Sequence, residues 1–236
     1  MRFLKSFFNE VKYWSFLYCS GGIFRIRDYL AENVAFDLQY GTNTSGWLET
    51  VSFEERPKNL NHGVRYRASY TSEVLRALKF ASKCIDFSSS TFIDMGCGKG
   101  KVLMLAALTH NFKEIIGVDY YKPFLDIARF NIAQTHVDEK VSLRYQDAVD
   151  FKDYGRMAVI YLYNPFDEYI FEHVKRNIEE QCEMAVIIYN KPVHKDILRN
   201  WNAIDTKIGK SPDWETSIFL YKGKSDSKSC KYTVAA

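Results

Sequence analysis

The chain has 236 residues, 47% hydrophobic and 26% charged, which fits one ordinary globular domain and excludes disorder as its main state. Thirty-two Lys and Arg against 29 Asp and Glu leave a net charge of +3, so no strong global field marks a polyanionic or very acidic partner, and nucleic acid is expected to be an unlikely one. Five cysteines (Cys19, Cys84, Cys97, Cys182, Cys230) are odd in number, widely spaced and free of C-x-x-C, which argues against a disulfide framework or a zinc site and for a reducing compartment.

Residues 2–17 place Phe3, Phe7, Val11 and Trp14 at steps of three or four, with Leu4, Phe8 and Phe16 beside them. The pattern predicts a helix with a broad apolar face, ending near Gly21 and Gly22. Lys5, Glu10 and Lys12 interrupt the apolar run and keep it from reading as a signal peptide or a bilayer span, so a cytoplasmic chain is expected. The helix packs on the main domain or serves as a peripheral membrane or partner contact, where Lys5, Lys12, Arg25 and Arg27 would suit anionic lipid. Residues 36–63 hold many turn residues and little periodicity, which predicts a loop-rich lead-in that could form a lid. The expected organisation is an extension over 1–65, a main domain over 66–222 and a polar tail over 223–236.

Helical spacing of Val74, Leu75, Leu78 and Ala81 predicts a helix over 71–84. A β-prone run at 91–95 and a helical one at 102–108 flank Gly96-Cys97-Gly98-Lys99-Gly100. Strands at 114–118, 141–145, 158–163 and 184–189 alternate with helices at 123–134 and 167–180; a short helix at 193–200 and a last strand at 214–221 follow. That alternation is the signature of an α/β, doubly wound, mostly parallel sheet with helices on both faces.

Chemistry gathers at the ends of these strands. Gly96, Gly98 and Gly100 allow a tight turn and let backbone approach a ligand at a helix N-terminus, although any strand-to-helix turn also favours Gly. Asp119 closes the next strand about 20 residues on, where a carboxylate accepts both hydroxyl protons of a ribose; a helix cap is the alternative. Asp147-Ala148 follows the third strand, where a carboxylate can bind an exocyclic adenine amine or simply sit exposed. Tyr163-Asn164-Pro165-Phe166 ends the fourth. Asn164 offers an amide oxygen to a neutral amine and Phe166 a π-face to developing positive charge; a proline-stiffened strand end with Phe166 in the core is the plainer reading. Tyr66, Tyr70 and Tyr163 are candidate walls of an acceptor pocket that would keep an amine neutral. His62 lies nearby, and His194 reads as structural rather than as a base.

Over residues 66–221 this order of motifs resembles the class I, seven-strand S-adenosylmethionine-dependent methyltransferases. Asp94-Met95-Gly96-Cys97-Gly98-Lys99-Gly100 is similar to that family's first motif, whose G-x-G-x-G spacing differs from the G-x-G-x-x-G of nicotinamide dehydrogenases. The resemblance implies a seven-stranded sheet with an antiparallel last strand beside the fifth, and S-adenosylmethionine as cofactor. It implies that Asp94 and the loop, Cys97 included, hold the methionine part, Asp119 the ribose, and Asp147 with Ala148 the adenine, with Tyr120 against the base. Asn164-Pro165-Phe166 is similar to the motif of amino-group methyltransferases but has one Pro where they often have two. The expected activity is N-methylation of a protein side chain or small molecule. The alternatives are a methyltransferase-like scaffold without activity and, less favoured, a nicotinamide-dependent oxidoreductase.

Overall fold

A computed structural model describes residues 14–15, 18–19, 22–46, 62–63, 66–205 and 215–223. Seven strands form one sheet in the order β3-β2-β1-β4-β5-β7-β6. They are β1 (Thr91–Met95), β2 (Glu114–Asp119), β3 (Val141–Tyr145), β4 (Met157–Tyr163), β5 (Met184–Asn190), β6 (Asn202–Asp205) and β7 (Thr216–Lys222). The first five pair in parallel, and β7 runs antiparallel to both β5 and β6. The helices are α1 (Ala35–Tyr40), α2 (Thr71–Ala81), α3 (Lys101–Thr109), α4 (Lys122–Gln134) and α5 (Glu168–Gln181).

Strands covered on both faces need continuous apolar runs rather than alternation, which is what Phe92-Ile93, Ile115-Ile116 and Ala185-Val186-Ile187-Ile188 supply. One face packs Val74, Leu78, Leu103, Leu125 and Ile132, from α2, α3 and α4, onto Phe92, Val159 and Val186. The other packs Ile170, Phe171, Val174 and Ile178 of α5 onto Ile93, Ile160 and Ile187. Strand order reverses between β1 and β4, so a crevice opens at their carboxyl ends, the usual ligand position in such sheets.

Two expectations need correction, and one strand that the resemblance implied without placing it now has a position. Residues 36–40 are helical, with Phe36 and Tyr40 packed at one-turn spacing, their rings tilted at 4.8 Å between centroids, before Gly41 ends α1 with a φ of 66°. The sixth strand, β6, had no sequence signal. It is four residues long, lies at the sheet edge and pairs only with β7. The helix expected at 193–200 is a 3-10 turn, Lys195–Leu198. The expected 2–17 helix falls almost wholly outside the described residues, as does all of the tail after Gly223; Trp14 packs edge-on against Tyr29, 5.8 Å away. Among the described residues no helix is long and apolar enough to cross a membrane.

Candidate active site

The turn after β1 is tied to the tip of β2. The N–H groups of Gly96 and Cys97 donate to the Val118 carbonyl at 2.8 and 3.0 Å, and the Gly98 N–H donates to Asp119 Oδ2 at 2.8 Å. Gly96, Gly98 and Gly100 have φ of 82°, 51° and 84°, a region costly for residues bearing Cβ. A side chain on Gly96 would come 2.6 Å from Pro165 Cβ, and one on Gly98 would come 2.5 Å from the Tyr66 ring. The glycines therefore let the β4 tip close over one end of the loop and Tyr66 over the other.

Asp119 is 8% exposed and accepts a second hydrogen bond from the Tyr121 N–H, so it binds the loop and does not cap α4. Burial pushes its carboxyl up to about 6 despite these donors. Asp94, 4% exposed, is raised well above the ordinary range by burial and by the nearby Asp119 charge. Two buried carboxyls at adjacent strand tips call for partners that donate, such as hydroxyls or an ammonium group. Tyr120 has its hydroxyl against Gly63, and burial, with Asp119 and Asp147 close by, raises that phenol to about 12. It thus stands between Asp119 and Asp147. Asp147 Oδ1 accepts from the Val149 N–H at 3.1 Å, and Ala148 packs beside the α5-face core.

Cys97 points into the structure, its Sγ against Gly117, and its thiol is pushed well above the ordinary value by burial and then by the charges of Asp119 and Asp94. Tyr66 sits over the glycine loop and not with Tyr70 and Tyr163. Its ring packs 4.9 Å from Phe124, and its hydroxyl donates to the Thr44 carbonyl at 2.5 Å.

At the tip of β4, Asn164 turns left-handed at a φ of 41°, a conformation Asn tolerates better than most residues. It is 9% exposed, and Tyr189 donates to its Oδ1 at 3.4 Å. The turn sets Pro165 on Gly96 and corrects one expectation: Phe166 does not offer an open ring, because it is 7% exposed, 6.0 Å from Phe171 in the α5-face core. Its backbone instead bridges to Gly63, the Asp167 N–H donates to the His62 carbonyl at 3.0 Å, and His62 Nδ1 meets Asp167 Oδ2 at 2.5 Å. His62 thus clasps the β4 tip.

Composition and spacing missed the anchoring of the lead-in. Asp37 accepts from Thr42, Thr44 and Ser45, which organises the turn after α1. Burial alone would raise its carboxyl, yet these donors hold it below the ordinary value. Lys99, from the glycine loop, donates to the Ser45 carbonyl at 2.7 Å, and the Asn131 side chain bridges Asn43 and the Lys99 carbonyl. Lys99 within the glycine motif was the one available hint. Glu73, also missed, lies beyond the β4 and β5 tips, 8% exposed in the first turn of α2.

Residues 86–203, half the chain, match the model of the methyltransferase domain family. A tRNA/tmRNA (uracil-C(5))-methyltransferase of Proteus mirabilis is 30% identical over 77 residues, 33% of this chain. The chain spans about a fifth of the length of that curated relative, and of the two Aliivibrio fischeri proteins of the same name. Among solved structures, an RNA methyltransferase of Salinibacter ruber in complex with S-adenosyl-L-homocysteine superposes with a TM-score of 0.51 at 16% identity, over 69% of this chain and 98% of its own. A mutant of MtNAS in complex with S-adenosylmethionine gives 0.53 at 15%, over 64% and 62%. The fold is common to all three.

Proposed function

The chain belongs to the methyltransferase domain family, and from that premise we propose that it transfers the methyl group of S-adenosylmethionine to an amino nitrogen held at the tip of β4. The observation that carries this reading is the seating of Pro165 on Gly96, which abuts the acceptor loop and the glycine loop at the switch point of the sheet.

The residues fit the cofactor. The glycine loop, Asp94 and Asp119 would hold its methionine and ribose parts, and Tyr120, Asp147 and Ala148 its adenine. Two buried, raised carboxyls suit a ligand that brings an ammonium group and two ribose hydroxyls. When bound, the cofactor supplies an electrophilic methyl group on sulfur, so the protein's task is alignment of the nucleophile. The Asn164 amide oxygen and nearby backbone carbonyls accept hydrogen bonds from an amine and aim its lone pair; burial near Tyr163 favours the neutral form.

Among the described residues of the main domain, no cysteine supports methylation at carbon. A pyrimidine carbon needs a thiolate to add to the ring first, whereas Cys97 is buried with a raised thiol, and Cys84 and Cys182 lie at the opposite, amino-terminal ends of the strands. The RNA-methyltransferase names of the similar proteins nevertheless weigh against the exclusion of nucleic acid drawn from net charge. A nucleobase amine is accordingly the second reading, beside a protein side chain or small molecule. On this view the described part of the lead-in, tied to the glycine loop through Ser45 and to the β4 tip through His62, serves as a lid, with an anchor as the other role for the extension over 1–65.

The test is transfer of labelled methyl into cell lysate by wild type and by Asn164→Gly, a substitution that keeps the left-handed backbone and removes the amide. We expect at least a tenfold drop in transfer with S-adenosylmethionine affinity by calorimetry little changed. Unaltered transfer overturns the role of Asn164, tighter binding of NAD than of S-adenosylmethionine overturns the cofactor, and no label anywhere leaves a scaffold.

A further inference from the structure

Glu73 is a carboxylate with no place in the cofactor site. It lies in the first turn of α2, and its Oε1 is buried without a hydrogen-bond partner among the described residues. A buried carboxyl oxygen without a partner is costly, most of all once the group is charged, and a ligand that donates to it relieves that cost. Asn190, the last residue of β5 and 2% exposed, lies beside the Glu73 carboxylate and favours the charged form. Asn190 Nδ2 also donates to the Tyr161 hydroxyl at 3.2 Å, and that hydroxyl donates to Ser69 at 3.0 Å. Tyr161 pairs in register with Asp94, and Tyr163 with Asn190. A buried polar row thus runs from the cofactor carboxyl Asp94 to Glu73. The neighbouring residue of β5, Tyr189, donates to Asn164 from the α5 face of the sheet, so the tip of β5 meets Glu73 on one face and the acceptor loop on the other.

The surroundings define what would bind. Tyr70 and Tyr163, both partly buried, stand near the carboxylate; Glu32, from the π-helical turn Leu30–Val34, adds negative charge, Arg76 in the next turn of α2 offsets it, and Arg67 and Arg25 lie on the phenol side of the two rings, with Asp28 beside Tyr70. A carboxylate among aromatic rings is the chemistry that selects a compact cation on an apolar stem. Resting on the methyl-transfer reading above, we propose that Glu73 binds the acceptor, and that the acceptor is a primary alkyl amine of the lysine side-chain type, docked as its ammonium on Glu73 Oε1. One proton then passes from the ammonium to the carboxylate, leaving a neutral amine with its lone pair and a carboxylic acid; no bond to carbon changes in that step. Burial lifts the Glu73 carboxyl to about 7, which suits it to take that proton near neutrality.

The full chain, saturated with S-adenosyl-L-homocysteine, is titrated calorimetrically with n-butylammonium, 1-butanol, N-acetyl-lysine methylamide and adenosine. Wild type should prefer n-butylammonium over the alcohol by at least tenfold. Glu73→Gln should abolish that preference without altering S-adenosyl-L-homocysteine affinity, and Glu73→Asp should retain part of it. Tighter binding of the lysine derivative than of n-butylammonium points to a protein acceptor, and the reverse to a small molecule; both support the proposal. No preference in wild type, equal preference in Glu73→Gln, or binding of adenosine in place of the amine overturns it. The wild-type comparison stands even where Glu73→Gln does not fold. Failure to bind S-adenosyl-L-homocysteine at all would instead sink the methyl-transfer reading.

Discussion

Two glycines of one loop face different neighbours, and so their substitutions should separate two functions. A Cβ on Gly98 meets the Tyr66 ring at 2.5 Å, and one on Gly96 meets Pro165 at 2.6 Å; both positions also have positive φ. An αL alanine costs roughly 1–2 kcal/mol in backbone alone. Gly98→Ala, which displaces the tyrosine over the cofactor loop, should weaken S-adenosylmethionine binding about tenfold or more by calorimetry. Gly96→Ala, which pushes away the β4 tip, should lower the single-turnover transfer rate more than it lowers cofactor affinity. Equal effects of the two on affinity would refute the division. The convergence of the glycines, Asp94 and Asp119 at adjacent strand tips was legible because their spacing after successive strands is a local property. Phe166 was not, because whether an aromatic after a strand faces ligand or core depends on a single left-handed residue, Asn164. Nor was Glu73, since an acidic residue in a first helical turn reads as ordinary dipole compensation until the β5 tip is laid beside it.

At the level of elements, the alternation of strands and helices was readable because parallel strands demand uninterrupted apolar runs and their crossover helices carry amphipathic spacing. The lead-in was harder. Its helices are held by contacts remote in sequence: Glu32 accepts from the Ser72 N–H at 2.8 Å and from the Ser72 hydroxyl at 2.6 Å, while Thr71 donates to the Glu32 carbonyl. Tyr70, the residue preceding α2, provides no side-chain cap, so the Glu32 carboxylate, from the π-helical turn Leu30–Val34, serves as one. Glu32→Ala should therefore cost about 1 kcal/mol, the value of an ordinary N-cap. In a chain of this size the melting temperature should fall by roughly 2–4 °C. Lys101 bonds the Glu32 backbone carbonyl and not its side chain, so the helix junction should persist. An unchanged melting temperature would mean that water replaces Glu32 without loss.

For the molecule as a whole, the site's acids set how stability without cofactor varies with pH. Asp119 rises from 3.8 to about 6, Glu73 from 4.5 to about 7, and Asp94 well above 3.8, each chiefly through burial. An acid raised in this way keeps its proton in the folded chain where the unfolded chain has released it. Its contribution is complete below the unfolded value and is lost as pH rises through the folded one. The melting temperature of the cofactor-free chain should therefore decline between about pH 4.5 and 7. Asp119 alone, raised by about two units, accounts for on the order of 3 kcal/mol at 1.36 kcal/mol per unit. Other groups do not mask the trend. Asp37 is lowered and weakens the fold only in stronger acid; Lys101, brought from 10.5 to about 7 by burial, adds stability only as pH climbs above 7. His110, lowered by burial, acts against the decline, but it is one partly exposed group against three buried ones. A ligand that donates hydrogen bonds to Asp94 and Asp119 favours their charged forms, so saturating S-adenosylmethionine should flatten the slope. Asp119→Asn should flatten it without any ligand over the part below pH 6. Thermal melts across this range, with and without S-adenosylmethionine, supply the check. A cofactor-free midpoint that rises steadily from pH 4.5 to 7 would show that these carboxyls are not held protonated, and that the polar row from Asp94 to Glu73 is open to water.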